Sequence, residues 1–191
     1  LGEAGMNYST LLQRSVDFDL YKIFLNIGYP DTFVQLVALN LTQMLWDRGE
    51  TNGYAEHLTR SPYPHTPRKT VLLLGAVGDH QVSEFALQAE ARTIGALGHV
   101  PYVGPGREVG GEHGFGIDPI PTYPWRRSAY FLWDTGAALS PLDNTPPRTG
   151  HDPHDDTPKI PAVQALKDGF WHPNGVVQDV CSGAPCTGPQ F

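Results

Sequence analysis

At 191 residues, 40% of them apolar, the chain is long enough to bury one hydrophobic core, and a single domain is the expectation for that length. Its formal charge of −7 leaves no electrostatic footprint for nucleic acid: phosphate binding needs clustered Lys and Arg, and the pairs Arg68-Lys69 and Arg126-Arg127 are short. No apolar stretch approaches the roughly 18–20 residues of a membrane helix, so a soluble protein without a membrane span is expected.

The chain starts at Leu1 with no charged n-region ahead of an apolar run, so no signal peptide is visible and a processed or truncated start is expected. Residues 1–15 open with small residues that suit a loop leaving a strand. From Phe18 to Ile27 the spacing of Phe18, Tyr21, Phe24 and Leu25 predicts a helix, broken by Tyr29-Pro30-Asp31. A second helix starts at Asp31 or Thr32 and runs to Gly49, with Phe33, Leu36, Val37, Leu41, Met44 and Leu45 predicted to face the core or a lid. A short helical piece is expected around Tyr54–Leu58. The prolines of Ser61-Pro62-Tyr63-Pro64-His65-Thr66-Pro67 then favour an extended connector.

Thr70–Ala76 has the continuous apolar run of a strand buried on both faces, as a parallel sheet requires. Residues 83–94 read as a helix and His99–Val103 as a short strand. Gly104–Tyr123 is a glycine-rich loop, Ala129–Trp133 a further strand, Leu139–Pro158 a long polar loop, and Ile160 to about Phe170 a last helix with Val163, Leu166 and Phe170 inward. This alternation predicts an α/β fold, a mostly parallel sheet flanked by helices, with long loops in keeping with 21 Gly and 18 Pro. Within one domain, 1–69 forms a helical, lid-like segment, 70–172 a sheet-and-helix segment, and 173–191 a tail. Cys181 and Cys186, joined through Ser182-Gly183-Ala184-Pro185, can reach disulfide geometry unaided. A staple of that tail is therefore expected, and with it an oxidising, secreted or periplasmic location.

Asp79 directly follows the first strand, where ligands of open α/β sheets bind, and a carboxylate there can orient an imidazole and stabilise its charged form. The competing reading is a cap for the helix near Ser83. His154 and His151 share the loop before the last helix, and either suits a general base. His80 supports the loop or lines a pocket. Acid then histidine is the second half of a Ser-Asp-His relay, yet none of Ser9, Ser15, Ser61, Ser83, Ser128, Ser140 and Ser182 lies in a G-x-S-x-G turn.

Four stretches carry a resemblance: Leu1-Gly2-Glu3-Ala4-Gly5-Met6-Asn7-Tyr8-Ser9-Thr10; Gln43-Met44-Leu45-Trp46-Asp47-Arg48-Gly49-Glu50; Gly78-Asp79-His80-Gln81-Val82 with Glu90-Ala91-Arg92-Thr93-Ile94-Gly95-Ala96; and Asp152-Pro153-His154-Asp155. Together they resemble the carboxyl-terminal region of bacterial secreted α/β-hydrolase-fold proteins of the serine esterase or lipase kind. The resemblance implies Asp79 as triad acid, His154 as base, no cofactor, a small-molecule ester substrate, and a nucleophile supplied by an upstream half or a second chain. Trp46, Tyr54, Trp125 and Trp133 are candidates for an acyl pocket, with core or lid packing as the plainer alternative.

Two rivals follow from the same residues. His151, Asp152, His154, Asp155 and Asp156 crowd metal-ligand side chains together, with His113 or Asp118 as more distant donors, and a metal-bound water needs no serine. The missing nucleophile also suits a non-catalytic, secreted binding or structural subunit.

Overall fold

The computed structural model describes residues 1–109 and 113–191; Gly110, Gly111 and Glu112 of the expected glycine-rich loop lie outside the described residues. Strand β1 (Leu72–Ala76) lies parallel to β3 (Ala129–Asp134), with Leu72 opposite Ala129 and Ala76 opposite Trp133. The other side of β3 is shared by two short parallel strands, β2 (Leu97–Gly98) beside its start and β4 (Cys186–Thr187) beside its end. The expected strand at His99–Val103 is therefore displaced to Leu97–Gly98, because Pro101 has no N–H to give a ladder.

Alternation along the two long strands divides the core. Leu73, Val77, Tyr130 and Leu132 point to one face, where Leu87, Ala91 and Ile94 of α5 (Glu84–Ile94) meet them. Leu72, Leu74, Phe131 and Trp133 point to the other, against Val163 and Leu166 of α6 (Pro161–Trp171). A fully buried Leu of this kind stabilises the fold by about 1.5–3 kcal/mol, so the three consecutive leucines of β1 anchor both layers. The mixed, parallel α/β arrangement matches the expectation. Gly75 lets α5 close on β1, since a Cβ there would sit 2.3 Å from the Leu87 side chain. Ser83 caps α5, its Oγ accepting the Phe85 N–H, and Gly95 ends the helix in the left-handed region.

The amino-terminal residues extend the sheet. The Leu1 nitrogen donates to Leu72 O, and Leu74 and Glu3 exchange backbone bonds with Leu1 and Leu74, so Leu1–Glu3 runs parallel along the free edge of β1. Residues 1–3, expected to be loop, therefore pair with the sheet. Helix α1 (Tyr8–Leu11) follows, then α2 (Asp19–Gly28), α3 (Thr32–Trp46) and α4 (Glu56–Thr59).

Helix α3 forms where its spacing predicts, with Asp31 accepting the Val34 N–H, but it faces the other way. Phe33, Leu36, Val37, Leu41, Met44 and Leu45 are exposed, whereas Gln35, Leu39 and Gln43 are buried. Polar partners decide the matter: Gln35 donates to Tyr29 O and Asn26 Oδ1, while Gln43 donates to Asp47 and Glu50 and accepts the Ser9 N–H. Only that face can satisfy these buried amides. With Leu20, Tyr21, Ile23, Phe24 and Ile27 of α2, the two helices present a broad apolar surface whose centre carries no charge. At on the order of 100 Å² per side chain it exceeds the few hundred Å² that a soluble monomer leaves bare. Replacing Phe24 and Leu41 together by Ser is expected to leave stability within about 0.5 kcal/mol, as at surface positions, while lowering binding of an apolar dye; a loss above 2 kcal/mol in urea unfolding would place these residues in the core.

The tail is integrated into the sheet rather than appended. Cys186 is buried beside Trp133, and Cys181–Cys186 form the expected disulfide. Closing so small a loop contributes about 2 kcal/mol in the chain-entropy picture. The Cys181→Ser/Cys186→Ser protein is expected to melt roughly 4–8 °C lower at this chain length, measured by calorimetry. Among the described residues no helix is long and apolar enough to cross a membrane.

Candidate functional site

Past β1 the chain continues through Val77, whose N–H bonds Trp133 O, to Gly78 in the left-handed region at φ 78°. A Cβ on Gly78 would lie 2.0 Å from Ala138 O, so glycine here lets the loop after β3 pass directly over the end of β1. That crossing carries the downstream histidines toward Asp79.

Asp79 is completely buried, and its Oδ1 accepts the N–H groups of Gln81 and Val82, each at 2.8 Å. Capping of α5 is left to Ser83. The carboxylate's Oδ2 lies 2.9 Å from His154 Nδ1, and its Oδ1 lies 3.2 Å from the same nitrogen. His154 stands on a 3-10 turn, Pro153–Asp155, with a quarter of its side chain exposed; its Nε2 has no protein partner among the described residues. Hydrogen bonding and charge from Asp79 raise the His154 pKa to about 9, outweighing the opposite effect of burial. The pair is thus acid-linked on Nδ1 and open on Nε2; with its pKa at about 9 the ring is charged at neutral pH and becomes a general base as it loses its Nε2 proton at higher pH.

Two residues outside the sequence-based assignment of the pair hold it in place. Asp152 Oδ1 accepts the N–H groups of His154 and His80, and its Oδ2 accepts Gln81 Nε2, so one carboxylate clasps the histidine turn to the acid loop. Burial works to raise its pKa, but these hydrogen bonds prevail and hold it below the usual carboxylate range. The [ST]-x-x-[DE] kind of capping signal is absent, yet Asp-Pro-His is itself a turn-opening pattern that could have marked Asp152. Glu3 is the second: buried, with Oε2 accepting the Ala76 N–H, its pKa is pushed to about 8 by burial and by the charge of Asp79. No local motif announces Glu3, because the pairing of Leu1–Glu3 with β1 is what brings it there.

His151 pairs elsewhere. Its Nε2 lies 2.7 Å from Oδ2 of the buried Asp156, whose Oδ1 accepts the N–H of Phe191. His80 is buried; its backbone is held by Asp152 and Val16, and its Nε2 has no partner among the described residues. His80 therefore supports the loop and ties it to the segment leading into α2. The crowded His151–Asp156 stretch thus splits, with its donors serving Asp79, Asp156 and backbone groups in turn. His113 lies instead at Gln88 and Arg107, and Asp118 offers its carbonyl to Gly98. Among the described residues the metal-ligand side chains that converge within 4.8 Å are His99, Cys181 and Cys186, not this loop.

The four aromatic candidates do not meet in one pocket. Trp133 is core, Trp125 donates to Ser128 O, and Tyr54 donates to Arg48 O. Trp46 packs edge-on to Tyr8 and borders a 170 Å³ cavity with Leu12, Phe18, Tyr21, Leu25 and Leu39 under the α2–α3 pair. A larger cleft of 710 Å³ runs between that helix pair and residues 143–148. Neither is bordered by Asp79 or His154.

These features define an α/β protein with a buried aspartate and a half-open histidine joined at the carboxyl ends of parallel strands. No protein-family model, curated protein or solved structure matches the chain.

Proposed function

We propose that the chain supplies the acid and the base of a serine acyl hydrolase of the α/β-hydrolase type, acting on a small-molecule ester or amide. The nucleophilic serine comes from a preceding segment or a second polypeptide. The observation that carries this reading is the 2.9 Å contact between Asp79 and His154, with the acid fixed by two backbone amides and Nε2 left unpaired. In the reaction Nε2 takes the serine proton as the oxygen attacks the acyl carbon, and Asp79 stabilises the imidazolium. The same proton then passes to the leaving group, and water repeats the cycle on the acyl-enzyme.

The apolar surface of α2 and α3 supports a partner polypeptide, since uncharged faces of that size are covered in stable assemblies. The disulfide supports a secreted or periplasmic setting. The metal-dependent alternative loses ground because the His151–Asp156 donors have separate partners.

The test is to treat native material with a fluorophosphonate, which esterifies activated serines, and to ask what co-purifies with this chain. A labelled serine-bearing polypeptide in the complex, with labelling abolished by His154→Ala, is expected. Native complexes that never take the label, although intact by mass, would overturn the proposal in favour of a non-catalytic subunit.

A further inference from the structure

Beside β2 and β4, away from Asp79 and His154, a buried histidine meets the disulfide loop. His99 is 3% exposed and stacks on Phe131 at 5.1 Å between ring centroids. Its Nε2 lies 2.8 Å from the carbonyl of Ala184, inside the loop that Cys181 and Cys186 close, and its Nδ1 lies 2.8 Å from Tyr123 Oη. One donor atom from each of His99, Cys181 and Cys186 falls within 4.8 Å of the others. Asp179 adds negative charge at the same place, its Oδ1 accepting the Cys181 N–H and lying 3.9 Å from His99 Nδ1.

We infer that, when the disulfide is reduced, this corner of the fold holds one thiophilic divalent cation of the zinc class on His99, Cys181 and Cys186. The inference goes beyond the hydrolase reading and shares no residue with it. Bond lengths of about 2.3 Å to sulfur and 2.0–2.1 Å to nitrogen put the donors of a tetrahedral ion roughly 3–4 Å apart, so the two sulfurs, bonded to each other in the disulfide, must separate on reduction to take the ion beside the His99 ring. Four residues between the cysteines is within the spacing that zinc ligand pairs use. A water molecule takes the fourth position.

The chemistry balances with a phosphine as reductant. The phosphine gives two electrons to the S–S bond and takes oxygen from water, leaving a phosphine oxide and two thiols. Zinc then displaces the two thiol protons into the buffer. At His99 the oxidised protein keeps the ring proton on Nε2, donating to Ala184 O, while Nδ1 accepts from the Tyr123 hydroxyl. Metal on Nε2 moves that proton to Nδ1, where it donates to Tyr123 Oη. The hydrogen-bonded nitrogen opposite the metal is the usual second partner that fixes a ligating imidazole. One loop is thereby closed in either of two ways, by sulfur–sulfur bonding under oxidising conditions or by metal under reducing ones.

The full chain, reduced with a phosphine and titrated with zinc alone against a chromophoric chelator, is expected to bind one equivalent with release of two protons. Cobalt in place of zinc should give a thiolate-to-metal charge-transfer band. The oxidised chain and the Cys181→Ser/Cys186→Ser variant should show neither. His99→Ala should weaken the site 10- to 100-fold or more. As that variant removes a buried ring, the wild-type imidazole is also followed by ¹⁵N resonance, where zinc should move the proton from Nε2 to Nδ1. Reduced protein that leaves zinc with the chelator, or binds it without any change in the His99 ring, overturns the inference.

Discussion

Asp79→Asn is expected to lower kcat of the completed hydrolase by about 10⁴-fold while leaving the fold intact, the size of loss that follows when the acid of such a relay becomes an amide. The cause is a tautomer. Asp79 Oδ1 is committed to the N–H groups of Gln81 and Val82, so the amide oxygen of an asparagine must occupy that position. Its NH₂ then faces His154 Nδ1, which can accept that donor only by carrying its own proton on Nε2. An Nε2–H cannot take a proton from serine. His154→Ala should abolish turnover, whereas His151→Ala should leave it within a few fold, because His151 serves Asp156 and the carboxyl-terminal strand region. Hydrolysis of a short p-nitrophenyl ester reads all three. Unchanged turnover in Asp79→Asn removes Asp79 from the mechanism, and loss in His151→Ala alone exchanges the two histidines.

The two long strands were legible because a strand buried on both faces has to be apolar at every position, and Leu72–Ala76 and Ala129–Trp133 meet that condition. Asp79 was legible for the same reason, standing one turn beyond such a run. What periodicity could not give was the orientation of α3. Its sequence is apolar nearly all round, so spacing marks a helix without choosing its inward side, and the choice falls to Gln35 and Gln43, which need buried partners. Strand β4 was equally hidden, since two residues cannot show a period and Cys186–Thr187 pairs only because the fold brings it alongside Trp133 and Asp134. The approach of His154 to Asp79 across 75 residues rests on the course of the loop over Gly78 and on the Asp152 clasp. Both are tertiary facts that no local pattern encodes.

Raising the pH from 5 to 9 is expected to lower the melting temperature by on the order of 10 °C, as a loss of a few kcal/mol does at this chain length. Four buried or half-buried groups hold protons more tightly in the native state than in the unfolded chain, one of them Glu90, raised chiefly by burial. Glu3 is pushed to about 8 by burial and the Asp79 charge, Glu84 to about 7 by burial, and His154 to about 9 by its bond to Asp79. For each, the native pKa exceeds the unfolded one, so its contribution is complete below the unfolded value and disappears as pH rises through the native value. For Glu3 and Glu84 that window runs from 4.5 to about 8 and about 7, and for the imidazole from 6.5 to about 9. His113, lowered chiefly by burial, opposes the trend. Asp152 and Asp134, held low by hydrogen bonds, act only when pH falls below the ordinary aspartate range. Stability should therefore be greatest between about pH 4 and 5 and decline above it. Glu3→Gln keeps the shape and the neutral state without the titration. It should match the native chain at pH 5, exceed it at pH 8.5, and flatten the slope between. A melting temperature that rises from pH 5 to 9 in the native chain, or an identical slope in Glu3→Gln, would mean that Glu3 is ionised beside Asp79 in the folded protein.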